Sequence, residues 1–241
     1  VTISPIGNGA EATAELTKWT RNRYDLLDGK LDNDNGYAFL NFNNALEYGY
    51  AHVANPINLR IALQDNLDNL GNLAPTKTHS PIIGFAYDGN PIYGPYAHED
   101  PLDSNSNIVR MTTSYVQKNG RSFGPSFADY PLGSFIEDYQ YTHKSGSLDQ
   151  NNGRYCVTPD YPHGTYAYFI SVSATEEPEF PYLIGENYYS LPVESNYKSS
   201  INQENISKNS KRLFTPDITQ NGGGVTGFIQ DLESGSVDAI E

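Results

Sequence analysis

Four carboxylates, Asp88, Glu137, Asp138 and Asp149, stand in stretches otherwise rich in aromatic residues and glycine, and His79 shortly precedes the first of them. Carboxylates among aromatics suit three kinds of site: a hard-cation site, a sugar-binding groove, or a general acid–base pair. Each residue also has an ordinary structural use. Asp88 precedes Gly89 and suits a turn, Asp149 can accept from the backbone two residues on, and Glu137-Asp138 can cap an element or pair with Arg121 or Arg154. Tyr87, Tyr93, Tyr96, Tyr155, Tyr166 and Tyr168 either line a carbohydrate surface or fill the core; Tyr93 joins the four carboxylates as a ligand-binding candidate. The alternation of Tyr166, Tyr168, Ile170 and Val172 assigns at least that set to the core.

The five histidines, His52, His79, His98, His143 and His163, form no short-spaced pair. Spacing therefore carries no metal signature, although a fold can assemble ligands from distant positions. His52 and His79 are the candidate ligands. The single cysteine, Cys156, excludes an internal disulfide and a multi-thiolate zinc site, and Tyr155 and Val157 beside it indicate a packed strand. Asp32–Gly36, DNDNG, fails as a calcium loop: with Gly36 in the sixth place, Leu31 falls first and Phe42 twelfth, and neither side chain offers oxygen. An Asn35-Gly36 turn between strands is the better reading. There is no Ser–His–Asp order, phosphate loop, Cys–His pair or dinucleotide fingerprint, and no cofactor is expected.

The elements that must carry these residues are mainly strands. The chain has 241 residues with 19 tyrosines, 21 glycines and 15 prolines, a composition of pleated surfaces punctuated by turns. Its net charge of −14 repels phosphate everywhere outside the thin basic stretch Lys208, Lys211 and Arg212, so nucleic acid is not an expected partner. No run of about 18 apolar residues predicts membrane insertion, and the start at Val1 suggests a segment of a longer polypeptide. In GFAYDGNPIYGPY, Gly84–Tyr96, Asp88-Gly89 predicts a turn, and two prolines predict an edge strand or loop after it. Asn55-Pro56 predicts a helix start, with Ile57, Ile61, Leu67 and Leu70 on one face before Gly71, although the alternation at Ile57, Leu59, Ile61 and Leu63 also permits a strand.

Four blocks together carry a resemblance. SPIIGFAYDGNPIYGPY (80–96), YPLGSFIEDY (130–139), LDQNNGRYCVTPDYPHGTYAYF (148–169) and FPYLIG (180–185) resemble, in order and spacing, the YHYH domain family. The resemblance covers roughly residues 48–192. It implies a protein of a bacterial surface or a marine phage virion, and it brings no established activity with it. The family's name motif is usually followed by Asn-Pro and Leu-Arg; Asn55-Pro56 and Leu59-Arg60 then place it on Tyr50-Ala51-His52-Val53. Strand residues two apart share a face with β-carbons about 6–7 Å apart, so a His-x-His pair can converge on one ion. Here the two places hold Ala51 and Val53, and His52 faces the other way, where it reads as a hydrogen-bonded structural residue.

The expected architecture is mainly β: one large β-rich domain with a short helix, flanked by small β-module fragments. Residues 1–19 are the end of one small module, with a Gly-Asn-Gly turn; 20–193 are the YHYH-like domain; 194–215 are a polar linker; 216–241 begin a glycine-rich module. The flanks resemble glycine-rich β repeats in structural proteins of tailed marine phages. The expected function is a non-enzymatic structural or surface-display module of a virion tail, fibre or baseplate, with other virion proteins, copies of itself or a host surface glycan as partners. The alternative is a metal- or carbohydrate-binding domain of a secreted bacterial surface protein.

Overall fold

The computed structural model describes residues 19–40 and 48–190, and the backbone of three later strands. In chain order the elements are α1 (Arg23–Leu26), β1 (Gly36–Leu40), β2 (Tyr48–His52), α2 (Ile57–Ala62), β3 (Ile82–Phe85), β4 (Pro91–Tyr93), β5 (Tyr96–His98), β6 (Ile108–Arg110) and β7 (Tyr115–Gln117). A 3₁₀ turn (Ile136–Asp138), β8 (Tyr139–Tyr141), β9 (Gly153–Cys156) and β10 (Thr165–Phe169) follow, and β11 (Thr215–Asp217), β12 (Thr226–Gln230) and β13 (Val237–Ile240) form a separate three-stranded antiparallel sheet. The fold is mainly β, in several small sheets. The turn at Gly-Asn-Gly, the polar stretch 195–212 and the turn at 222–224 lie outside the described residues.

The main sheet has the order β3-β4-β10-β9, with β4 parallel to β10 and the other neighbours antiparallel. Its organising strand is β10, whose two faces are both covered. Tyr166 and Tyr168 pack with Ala86 and Ile92 on one side, while Ala167 and Phe169 pack with Tyr93, Ala97, Met111, Leu148 and Cys156 on the other. The expected core face of Tyr166, Tyr168, Ile170 and Val172 is buried, and so is the opposite face. Burying a side chain the size of Phe169 contributes about 2–3 kcal/mol, so this one strand anchors both cores. Cys156 is fully buried, as expected of a packed strand.

The turn between β3 and β4 forms as expected, with Gly89 at φ +84° and the Ala86 N–H donating to Asn90 O at 2.9 Å. Its second arm departs from expectation: β4 is an interior strand. Pro91 is tolerated because it is the first residue of β4, and the pairing with β10 begins one residue later, at Ile92 opposite Tyr168.

Two other expectations need correction. The helix after Asn55-Pro56 forms but ends at Ala62, because Gln64 and Asn66 adopt left-handed backbone; Leu67 pairs instead with Leu73 in an isolated bridge. The Asn35-Gly36 turn exists, with Asn35 at φ 52°, but it leads into β1 and does not join two strands. Asp32 closes it, its Oδ1 accepting from the Asp34 and Gly36 amides at 2.9 Å each.

A buried ionic network fixes α2 to the rest of the fold. Arg60 has no solvent exposure; its Nε donates to Asp65 Oδ2 at 2.7 Å and its NH1 to Asn55 Oδ1 at 2.8 Å and Glu176 Oε2 at 2.7 Å. The other Glu176 oxygen accepts from the Tyr96 hydroxyl at 2.6 Å. Asn55 thus serves as a partner of Arg60, and makes no side-chain cap on α2.

Candidate functional site

Asp88 and Asp149 sit at opposite ends of one tyrosine cluster. Asp88 is 3% exposed, and its Oδ2 accepts from the Tyr168 hydroxyl at 2.7 Å, Asn90 Nδ2 at 2.8 Å and the Ser190 amide at 3.1 Å. Asp149 Oδ1 accepts from the Asn151 amide at 2.8 Å, as its sequence position suggests, and from the Tyr166 hydroxyl at 2.9 Å. The Tyr166 and Tyr168 rings are 5.2 Å apart, and Tyr189 stacks on Tyr166 at 3.7 Å. Burial first, and then the adjacent carboxylate, pushes both phenols well above their ordinary range. Both therefore stay protonated donors near neutral pH, and each aspartate is an acceptor already in use.

Glu137 and Asp138 are engaged elsewhere. Glu137 Oε2 accepts from the Thr20 amide at 2.8 Å, tying the N-terminal segment to the 3₁₀ turn. Asp138 is grasped by Arg121, Nε to Oδ1 at 2.5 Å and NH2 to Oδ2 at 2.6 Å, with the Gly133 and Phe135 amides adding bonds at 2.9 and 3.1 Å. The partner is Arg121; Arg154 instead donates to the His98 carbonyl. Burial alone would raise the Asp138 carboxyl, but the Arg121 fork and the two amides together hold it below the usual carboxylate range. Among the described residues, no three His, Cys, Asp or Glu side chains form a metal-holding group.

His52 lies on β2 with Tyr50 on the same face, ring centroids 5.1 Å apart, while Ala51 between them faces the other way. Its Nε2 is 2.8 Å from Asp34 Oδ2, and Asp34 Oδ1 accepts from the Asn58 amide at 2.5 Å. His52 therefore helps join β2 to the first turn of α2. Beside it the Tyr50 hydroxyl donates to Asp32 Oδ2 at 2.6 Å, a bond that pushes the phenol up to about 12.

His79 occupies a different setting. Its ring is 5.1 Å from that of Tyr93 and 5.3 Å from that of His98, a neighbour that sequence spacing does not reveal. The pair arises because Ser80 and Tyr96 are bonded, the Ser80 amide to Tyr96 O at 2.8 Å and the Tyr96 amide to Ser80 Oγ at 3.0 Å, which sets 79 beside 98. His79 Nδ1 is 2.8 Å from Ser80 O, and its Nε2 is buried without a partner. Burial chiefly, with the charges of His98 and Arg154 acting the same way, holds His79 below its ordinary value. Tyr93 is fully buried, donating to Asp160 Oδ2 at 3.1 Å and bonded to Thr158 Oγ1 at 2.9 Å, so it is a core residue with a satisfied hydroxyl.

The tyrosines divide. Tyr93, Tyr96, Tyr166 and Tyr168 are buried, whereas Tyr87 and Tyr155 are exposed, as is Tyr189. Among the described residues no helix is long and apolar enough to cross a membrane. The model of the family described as YHYH protein matches residues 9–180. No curated protein and no solved structure matches the chain.

Proposed function

The chain belongs to the YHYH protein family, and we propose that it acts as a non-enzymatic structural or surface-display module. One observation carries this reading: each of Asp88, Glu137, Asp138 and Asp149 is an acceptor inside its own fold, used to fasten one segment to another. Carboxylates so committed are poor candidates for a shared acid–base pair, whose members must meet a substrate. In the register the sequence resemblance implies, Ala51 and Val53 stand at the motif's histidine places and contribute no imidazole. The finer reading is a segment of a longer phage tail, fibre or baseplate protein that assembles with other virion proteins or copies of itself. The resemblance of the flanks to glycine-rich β repeats and the acidity of the chain support it.

Light scattering on the full chain over a hundredfold concentration range tests the assembly role. Concentration-dependent association, lost when residues 216–241 are removed, is expected; a monomer throughout refutes it. Immunolabelling of phage particles that carry this chain then tests the location, with label on the tail expected.

A second reading is favoured by a specific surface. Tyr155 stands directly across from Tyr166 in the β9–β10 ladder, and exposed Tyr189 stacks on that same ring. Exposed aromatics so grouped suit a sugar face. Glycan-array binding abolished by Tyr155→Ala and Tyr189→Ala would favour carbohydrate recognition over a purely structural role.

A further inference from the structure

His79 and His98 each set one ring nitrogen, Nδ1, against a backbone carbonyl. A backbone carbonyl only accepts, so the Nδ1 of His79, 2.8 Å from Ser80 O, carries the proton, and its Nε2 presents a lone pair. His98 repeats the pattern more loosely, with Nδ1 3.4 Å from Ser106 O. Metal-ligating histidines are commonly oriented in this way, one ring N–H tied to a carbonyl and the other nitrogen free for the ion. The two rings are 5.3 Å apart with their planes at 48°, and the His79 Nε2 atom is shielded from water yet bonded to nothing. A buried acceptor left in that state costs about 1–3 kcal/mol unless something fills it.

We propose that His79 and His98 form a two-imidazole site for a divalent transition-metal ion, its remaining positions taken by water or a small anion. Imidazole nitrogen suits zinc, copper and nickel and is a poor ligand for calcium or magnesium. The site does not involve the carboxylates on which the structural role rests, so the two proposals fail independently.

Calorimetric titration of the full chain with zinc chloride alone, and absorption spectra with cobalt chloride alone, test the site. One equivalent of zinc is expected, with affinity reduced about tenfold or more by His79→Ala and by His98→Gln, and unchanged by His143→Gln at an exposed position. Circular dichroism of each metal-free variant checks folding. Should His79→Ala unfold, His98→Gln and the zinc-induced shift of the His79 ring nitrogens in the unmodified chain decide the matter. Absence of zinc binding, or equal binding in all variants, overturns the proposal.

Discussion

Replacing Arg60 with methionine keeps much of the side-chain volume and removes the charge from the network that holds α2. Three charge-assisted bonds are lost, to Asp65, Asn55 and Glu176. Glu176 retains some access to solvent, its side chain being 12% exposed, but Asp65 is fully buried. That carboxylate would keep only the neutral donors Ser80 Oγ, at 2.5 Å, and Asn66 Nδ2, at 3.0 Å. Removing one member of a buried pair costs about 3–5 kcal/mol, mostly from the charge left behind. In a domain of this size each kcal/mol moves the melting temperature by about 2–4 °C, so a fall of roughly 6–20 °C is expected. Calorimetry and urea unfolding at pH 7 measure it. If the stranded charge is the cause, Arg60→Met combined with Asp65→Asn loses less than the sum of the single losses, by about 1 kcal/mol or more. A loss below about 1 kcal/mol for Arg60→Met, or strict additivity of the pair, refutes the reasoning.

Asp138 gives a pH-dependent counterpart. Its folded value is depressed, so its contribution is complete above the ordinary carboxylate value of about 4 and disappears as pH falls through the lower folded value. The melting-temperature gap between the unmodified chain and Asp138→Asn is therefore expected to be full at pH 6 and to shrink toward pH 2; a gap constant across that range contradicts the assignment. Tyr168→Phe removes a hydroxyl that donates to Asp88 at 2.7 Å and accepts from the Tyr189 amide at 2.7 Å. It should cost about 1–3 kcal/mol and speed hydrogen exchange at the Tyr189 amide, and unchanged exchange there would show that the hydroxyl does not hold this segment.

Local chemistry was readable in the sequence where it depends on near neighbours. The Asp88-Gly89 turn, the Asp149 bond to Asn151 and the strand through Cys156 all follow from a few adjacent residues. What escaped depends on partners far along the chain. Pro91 marks an edge by local rules, yet the strand after it is interior because β10 pairs with Ile92 and Tyr93. The apolar face drawn from Ile57 to Leu70 breaks at Gln64, where a left-handed residue ends the helix whatever the periodicity. Asp138 offered two arginines, and the choice of Arg121 is made by the path that brings it against Trp19, Phe127 and Phe135. The His79–His98 contact is the clearest case, for no spacing records a pairing made through Ser80 and Tyr96.

The parallel junction of β4 with β10 sets the order in which a growing chain can mature. Parallel neighbours require a crossover, and the one here is long: the Asp88–Tyr168 bond that accompanies it joins residues 80 apart. The β3–β4 arm can close within microseconds of its synthesis, but its inner edge then waits, unpaired, for a strand that the ribosome supplies last among the main-sheet members. During that interval Ile92 and Tyr93 present open backbone and apolar surface together, the combination that invites association with other nascent chains. Maturation is therefore gated by translation through Phe169, and the entropy of closing so long a loop falls on the step at which both cores form at once.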